Sequence, residues 1–121
     1  MKAQRDIIFD TETTGMDKND DRIIEIGAVK FQGERALDTY QTYVNPNRRL
    51  SSFIRRYTGI TQEDVDGSPT FPKVMGELAS FVGSSPVVGH NIPFDLGFLD
   101  KKGLRLSGQR SDTWDMAFML Y

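Results

Sequence analysis

Hydrophobic residues in the first part of the chain follow patterns that are typical of β-strands. The segment DIIFD at residues 6–10 places a continuous apolar run between two aspartates, which predicts a central strand buried on both faces. The segments RIIEIGAVKF at 22–31 and DTYQTYV at 38–44 are rich in β-branched and aromatic residues and predict two further strands. Because QGE at 32–34 is a short connection that contains glycine, we expect these two strands to form a hairpin.

Helical spacing replaces this pattern in the middle of the chain. The segment SSFIRRYTGI at 51–60 predicts a short helix that Ser51 or Ser52 caps and that ends near Gly59. Residues 71–82 carry apolar side chains three and four positions apart, which predicts a second, amphipathic helix. We therefore expect helices to pack against the strands.

A strand and a helix then follow in close succession. PVVGH at 86–90 predicts the strand, and NIPFDLGFLDKKG at 91–103 predicts a helix that Asn91 caps and Gly103 ends. This order of elements predicts an α/β fold, in which helices flank a mixed sheet.

The final segment, SDTWDMAFMLY at 111–121, also has the pattern of a helix, with Asp112 or Thr113 as its candidate cap. The pattern continues to Tyr121 without a glycine, a proline or a basic last turn. An isolated helix of this length is only marginally stable and needs a surface to pack on. We therefore expect the fold to be truncated at the C-terminus, so that residues 1–121 are the front part of a longer domain.

Composition limits the classes of protein to which the chain can belong. With 121 residues, we expect one domain. The formal net charge of −2 excludes a strongly basic coat for nucleic acid, although an enzyme can bind phosphates through metal ions and a few local charges. The absence of cysteine excludes disulfides and thiolate metal sites. Because no apolar run approaches membrane-spanning length and no signal-peptide core is present, we expect a cytoplasmic protein without a membrane partner.

Two carboxylates follow the first apolar run, in the segment DTETTG at 10–15. Side chains alternate along a strand, so Asp10 and Glu12 point to one face, about 6.5–7 Å apart, and Thr11 points to the other. Oxygen ligands in this arrangement suit one or two hard cations such as Mg²⁺ or Mn²⁺. Two such ions, about 3.5–4 Å apart, clamp the attacking and leaving oxygens of a phosphodiester displacement.

The alternative for these carboxylates is a solvated strand end, with Asp10 capping the turn. Unpaired ionised carboxylates are costly to bury, so a site inside the protein needs cations that compensate the charge. Gly15 favours the site, because glycine permits a tight turn and a close approach of the backbone. Thr13 and Thr14 would add hydroxyl and amide groups beside the cations.

A third carboxylate lies in the segment GHNIPFD at 89–95. Asp95 comes about one turn into the predicted helix, just past the strand at 86–90. If that strand lies beside the first one, Asp95 faces Asp10 and completes a cation site. The alternative is an acidic residue in the first turn of a helix, where the helix dipole favours it.

Four segments together carry a family resemblance. IIFDTETTG, RIIEIGAVKF, YTGIT and VVGHNIPFD occur in the order and spacing of the DEDDh, or DnaQ-like, family of 3′–5′ exonucleases, which includes proofreading subunits of bacterial DNA polymerases. The resemblance implies a ribonuclease H-like fold and two-metal hydrolysis with Mg²⁺ or Mn²⁺. It also implies a single-stranded DNA 3′ end as substrate, in proofreading or repair. RNA stays open as the alternative substrate, and a DNA polymerase or a helicase as a partner.

The resemblance also implies roles for individual residues. Asp10, Glu12 and Asp95 match the catalytic metal ligands of the family. The residues that match the substrate side are Thr11, Thr13, Thr14 and Gly15 near the terminal nucleotide, Gly59 and Ile60 in the nucleotide pocket, and His90, Asn91 and Phe94 at the second motif.

One motif of the family has no counterpart in the chain. The family has a histidine as general base, followed five positions later by an aspartate as fourth metal ligand, whereas the single histidine here, His90, belongs to the second motif. We do not favour His90 as the base, because a histidine at a strand end is more often hydrogen-bonded in place. Asp112 or Asp115 could replace the fourth ligand, but Asp112 has the position of a helix cap, which we favour. Two hypotheses stay open: an exonuclease domain, and a truncated or degenerate domain that binds metal or nucleic acid without hydrolysis.

A basic cluster surrounds the predicted helix at 51–60. It consists of Arg48, Arg49, Arg55 and Arg56. These side chains either contact the phosphates of a nucleic-acid strand or form a solvated face of the helix.

Overall fold

The computed structural model describes residues 5–112, whose strands form a five-stranded mixed sheet. In chain order the elements are β1 (Arg5–Thr13), β2 (Ile23–Gln32), β3 (Arg35–Tyr43), α1 (Ser52–Thr58), α2 (Gln62–Asp66), α3 (Phe71–Val82), β4 (Val87–Gly89), α4 (Ile92–Lys101) and β5 (Arg110–Asp112). The strand order is β3-β2-β1-β4-β5, with β2 antiparallel to both β1 and β3, and with β4 parallel to both β1 and β5. The predicted α/β fold with a mixed sheet flanked by helices is confirmed.

The central strand β1 is buried on one face. Ile7 and Phe9 are buried in the main core, whereas Ile8 between them is 49 % exposed. Helices α3 and α4 cover the first face, with a core that includes Val74, Leu78, Val82, Leu96, Phe98 and Leu99. The prediction that both faces of β1 are buried is therefore wrong for the described residues. Side chains alternate along the strand, and within residues 5–112 the face that carries Ile8 stays largely open.

A smaller apolar cluster holds α1 and α2 beside the start of β2, which pairs with the end of β1. It consists of Ile24, Leu50, Ile54, Ile60 and Val65. Helix α1 has the predicted boundaries: the Ser51 side chain accepts a hydrogen bond from the Ile54 amide at 3.1 Å, and Gly59 ends the helix with a left-handed φ of 77°. Helix α2 was not predicted, although its capping box of Thr61 and Asp64 is readable in the sequence.

The turn from β4 into α4 places the start of α4 at the end of β1. Val87 and Val88 of β4 pair with Ile7 and Ile8 of β1, so the condition for Asp95 to come near Asp10 is met. A Cβ on Gly89 would lie 2.7 Å from the carbonyl oxygen of Phe9, and a second atom, the Ile92 Cδ1, would be equally close. Only glycine therefore fits at this close approach of Gly89 to β1.

The last described strand differs from the sequence prediction. Residues 110–112 form β5, a three-residue edge strand parallel to β4, which was not predicted. Asp112 is thus the last residue of a strand. The helix that we predict from there to Tyr121 lies outside the described residues, and so does Asp115.

Substituting Gly89 tests whether it approaches β1 as closely as the structure indicates. We expect Gly89→Ala to lower the free energy of unfolding by about 1–3 kcal/mol, because the added methyl group overlaps the carbonyl oxygen of Phe9 and the side chain of Ile92. Urea unfolding followed by circular dichroism measures the change.

Gly76→Ala is the matched control for Gly89→Ala. Gly76 lies inside α3, where an added Cβ meets nothing within 4 Å, so we expect a gain of about 0.5–1 kcal/mol. A Gly89→Ala chain as stable as the wild type would contradict the close approach of Gly89 to the Phe9 carbonyl.

Candidate active site

The carboxylates of β1 lie on the open face of the sheet. The side chains of Asp10 and Glu12 alternate with that of Thr11, which is buried, and Asp10 is exposed. Glu25 of β2 pairs directly with Glu12 across the antiparallel ladder. Burial raises the pKa of Glu12, and the negative charges of Asp10 and Glu25 raise it further. Negative charge is therefore concentrated where β1 ends.

Asp95 brings a further carboxylate to this end of the sheet from the first turn of α4. Its side chain is only 3 % exposed, and it accepts a hydrogen bond from the Thr11 hydroxyl. Burial is the main cause that raises the pKa of Asp95 to about 7, against the lowering effect of Thr11. The charges of Asp10 and Glu12 raise this pKa further, so the three predicted ligands share one region of the protein.

Carboxylate oxygens are suitable ligands for a hard cation, but these carboxylates are not arranged as a complete coordination set. Burial raises the pKa values of Glu12 and Asp95, and repulsion from neighbouring carboxylates raises them further, so a divalent cation would relieve that repulsion. Within residues 5–112, however, no three acidic or histidine side chains are arranged as a metal-binding group. The Asp95 carboxylate is engaged by Thr11 instead.

Hydrogen bonds inside the DTETTG turn occupy its hydroxyl groups. The Thr13 hydroxyl donates to the Gly15 carbonyl. The Thr14 hydroxyl donates to Asp21 Oδ1 at 3.0 Å and accepts from the Arg22 amide at 2.9 Å. A Cβ on Gly15 would lie 2.3 Å from the Asp21 carboxylate, so a larger residue would displace the carboxylate to which Thr14 donates. In this structure both threonines therefore stabilise the turn.

A pocket of about 430 Å³ opens beside Glu12. Its lining residues are Thr11, Glu12, Thr13, Gly15 and Met16 from β1 and the following turn, Phe53, Ile54 and Tyr57 from α1, and Asn91 and Phe94 at the start of α4. The pocket is thus bounded by the strand end that carries the carboxylates and by the two helices on either side of it.

An exposed aromatic pair forms the α1 side of this pocket. Phe53 is 66 % exposed and Tyr57 is 76 % exposed, and their rings stack with centroids 5.8 Å apart at 12°. Two open rings beside a cluster of carboxylates suit the stacking of nucleobases. These two residues were not predicted from the sequence as part of the site. The available signal was their spacing of four positions, which places both rings on one side of the helix once Ile54 is assigned to the core.

The second motif contributes two residues to the pocket. Asn91 begins α4 in a left-handed conformation with φ 55°, and it lines the pocket together with Phe94. The Phe94 ring packs on Phe98 at 5.0 Å, which fixes its position. His90 is exposed at the end of β4 and is not one of the residues that line the pocket.

Gly59 and Ile60 lie away from this pocket. They line a separate cleft at the end of α1, together with Arg49, Arg55 and the first residues of α2. Ile60 is also buried in the small apolar cluster under α1. The predicted role of these two residues in a nucleotide pocket would thus apply to a second cleft, and not to the pocket beside Glu12.

The fold and the pocket define a class of enzyme. Carboxylates at the end of a central strand, beside a pocket with exposed rings, are typical of proteins that hydrolyse nucleic acids with divalent cations. No helix within residues 5–112 has the length and apolarity needed to cross a membrane.

Sequence comparisons identify the family. The sequence model of the family described as Exonuclease, RNase_T, matches residues 7–119. The PolC-type DNA polymerase III of Clostridium perfringens is 40% identical over 119 residues, which are 95% of this chain and 8% of that polymerase. The chain belongs to the DEDDh exonuclease family and is thus a nuclease by class.

Solved structures agree with this assignment. Exonuclease X in complex with 5′ overhanging duplex DNA has a TM-score of 0.77 and 26% identity, over 96% of this chain and 64% of that chain. The nuclease domain of 3′hExo, a DEDDh family member bound to rAMP, has a TM-score of 0.71 and 28% identity, over 83% of this chain and 58% of that chain.

The raised pKa of Asp95 predicts how stability depends on pH in the metal-free chain. Between pH 3.8, the ordinary pKa, and about pH 7, folded Asp95 keeps a proton that the unfolded chain has lost. Stability from this residue is therefore complete below pH 3.8 and is lost as pH rises through about 7. We expect Asp95→Asn to remove this part of the decline, as measured by urea unfolding from pH 4 to 8 with EDTA.

Asp100→Asn, at an exposed position on the same helix, is the control for Asp95→Asn. It should leave the pH dependence of unfolding as it is in the wild type. Identical slopes in the wild type and in Asp95→Asn would mean that Asp95 does not carry the buried proton.

Proposed function

We propose that the chain is the front part of a 3′–5′ exonuclease domain, which removes nucleotides from the 3′ end of single-stranded DNA and releases 5′-monophosphates. The observation that carries the proposal is that Asp10 and Glu12 lie at the end of β1 near the buried Asp95 of α4, and that Glu12 lines a pocket with exposed rings. The family supports the reaction, and the polymerase relatives and the DNA-bound exonuclease X support the substrate.

The carboxylates would hold the cofactor of this reaction, two Mg²⁺ or Mn²⁺ ions. Bound cations of this kind activate a water molecule and stabilise the leaving oxygen. The chain contributes carboxylate oxygens at one end of β1, and Thr11 holds Asp95 against the sheet. The raised pKa values of Glu12 and Asp95 support this role, because a cation would offset the charge that these side chains place together.

The aromatic pair supports a strand with unpaired bases as the substrate. Phe53 and Tyr57 present open rings on one side of the pocket, and Phe94 lies among the residues on the α4 side. Stacking of a base on a protein ring contributes about 1–3 kcal/mol. A base inside a duplex is already stacked on its neighbours, so an unpaired 3′ end fits the pocket better. The backbone of the turn at 13–15 borders the same space and would contact the terminal nucleotide.

A domain that binds nucleic acid without hydrolysis is the second candidate. The observation in its favour is that the residues lining the pocket include no histidine, and that His90 is exposed outside it. An RNA substrate is also supported, since the neighbour 3′hExo is bound to rAMP, a ribonucleotide.

A DNA polymerase is the proposed partner. In the Clostridium relative, the matching segment is 8% of a PolC-type DNA polymerase III. We propose that this chain acts beside a polymerase in proofreading, in the cytoplasm, where it would remove mismatched 3′ nucleotides.

Digestion of a 5′-labelled, 3′-mismatched DNA strand with Mg²⁺ or Mn²⁺ tests the proposal. Because the chain lacks the family's general base, we expect no ladder from its 121 residues alone. We expect a ladder when the chain is extended by a segment that carries the histidine and aspartate of the third motif. Asp10→Ala should abolish that ladder, because it removes a proposed cation ligand.

Asp38→Ala, an exposed carboxylate on β3, is the matched control and should leave the ladder intact. An extended chain that folds but binds strands without cutting them favours the second candidate. A ladder from the 121-residue chain that Asp10→Ala removes would support the exonuclease and contradict its dependence on the third motif. An RNA strand of the same sequence, run in parallel, separates DNA from RNA specificity.

A further inference from the structure

The segment around α1 is strongly basic in a chain whose net charge is −2. Residues 47–60, NRRLSSFIRRYTGI, contain four arginines and no acidic residue. Arg49, Arg55 and Arg56 are exposed, while Arg48 is partly buried. Within residues 5–112, their guanidinium groups make no ion pair or hydrogen bond. Free guanidinium groups of this kind are suited to phosphate, which they bind through paired N–H donors.

The sides of α1 have different chemistry. Ile54 faces the small apolar cluster, and Phe53 and Tyr57 face the pocket beside Glu12. At 100° per residue, Arg55 lies on the side opposite the two rings, and Arg56 lies on the outer side, opposite Ile54. The helix thus forms a ridge, with the aromatic pocket on one side and a basic cleft on the other.

The basic cleft has room for a charged group. Its volume is about 410 Å³, and Arg49 and Arg55 line it together with Gly59 and Thr61. Glu63 also lines the cleft, so the two arginines leave it with a net positive charge. The helix dipole accounts for basic residues in the last turn of α1, namely Arg55 and Arg56, but Arg49 precedes the helix and needs a different explanation.

We propose that Arg49, Arg55 and Arg56 bind the backbone phosphates of the single strand on the 5′ side of the nucleotides in the aromatic pocket. The strand would leave the pocket, cross the outer side of α1 at Arg56 and enter the basic cleft. This inference rests on the proposed function, because it takes the 3′ end to lie at the carboxylates. A helix is about 10–12 Å across, so a strand must extend beyond the nucleotides in the pocket to reach the cleft.

DNA strands of two lengths distinguish binding in the aromatic pocket from binding at the arginines. Binding of (dT)₃ and (dT)₁₂ would be measured in Ca²⁺, by NMR titration for the short strand and by fluorescence anisotropy for the long one. In the variant Arg49→Gln/Arg55→Gln/Arg56→Gln, we expect (dT)₁₂ to bind roughly tenfold more weakly. The slope of log K against log salt should fall by about 2, because each phosphate contact contributes about 0.7 on a single strand. Binding of (dT)₃ should not change.

Two further variants make the result interpretable. Arg35→Gln removes one positive charge at the far end of the sheet, where Arg35 pairs with Gln32, and it should leave both strands' affinities unchanged. Tyr57→Ala should weaken (dT)₃ and (dT)₁₂ alike, because it removes a ring of the pocket.

The outcomes distinguish this inference from the proposed function. A triple variant with wild-type affinity and salt slope for (dT)₁₂ would overturn the role of the arginines, while (dT)₃ binding that depends on Tyr57 would still support the pocket. Loss of (dT)₃ binding in the triple variant would place the arginines in the pocket and overturn the proposed path. Failure of the wild type to bind either strand would contradict both proposals.

Discussion

The parallel pairing of β4 with β1 is the constraint on which the candidate site depends. It brings α4 to the end of β1, so that Thr11 and Asp95, 84 positions apart in the chain, share a hydrogen bond. The strands can pair this closely because Gly89 has no side chain at the point where the backbone of Phe9 is near. A larger residue there would separate the carboxylate of α4 from those of β1, and the chemistry of the site would be lost along with the packing.

This arrangement has an electrostatic consequence. Carboxylates from two elements are held together at one end of the sheet, with their pKa values raised by burial and by one another. Such a site is unfavourable for ionised side chains unless a cation joins them. Strongly shifted pKa values of this kind are frequent at functional sites. The stacked rings of Phe53 and Tyr57 then add a surface for bases beside the acidic group. A cation at the carboxylates and the two rings are the features by which a slightly acidic chain would bind the polyanionic substrate that we propose.

Local signals allowed much of the fold to be predicted. The cap at Ser51, the stop at Gly59 and the hairpin at 32–34 depend on nearby residues, and the structure has all three. The exposure of Ile8 was not predictable, because an apolar run does not state which face another element covers. Strand β5 was missed because three residues, RSD, have no hydrophobic period.

The candidate site was predictable in its carboxylates and less so in its details. A spacing of two residues placed Asp10 and Glu12 on one face, and the strand order brought Asp95 to the same end. The engagement of Asp95 by Thr11 joins residues from different elements, and no local pattern encodes it. The exposed ring pair was missed because aromatic residues at helical spacing are more often part of a core.

Cation binding by the acidic end of β1 is the central claim, and a Mn²⁺ titration followed by electron paramagnetic resonance tests it most directly. It needs neither turnover nor the third motif of the family. We expect the wild-type chain to bind Mn²⁺ and Asp10→Asn to weaken that binding more than about tenfold, since even the outer-shell partners of a metal ligand contribute that much. Asp38→Asn on β3 should leave the affinity unchanged. Equal Mn²⁺ affinity in all three chains would contradict the account, because the carboxylates of β1 would then play no part in holding a cation.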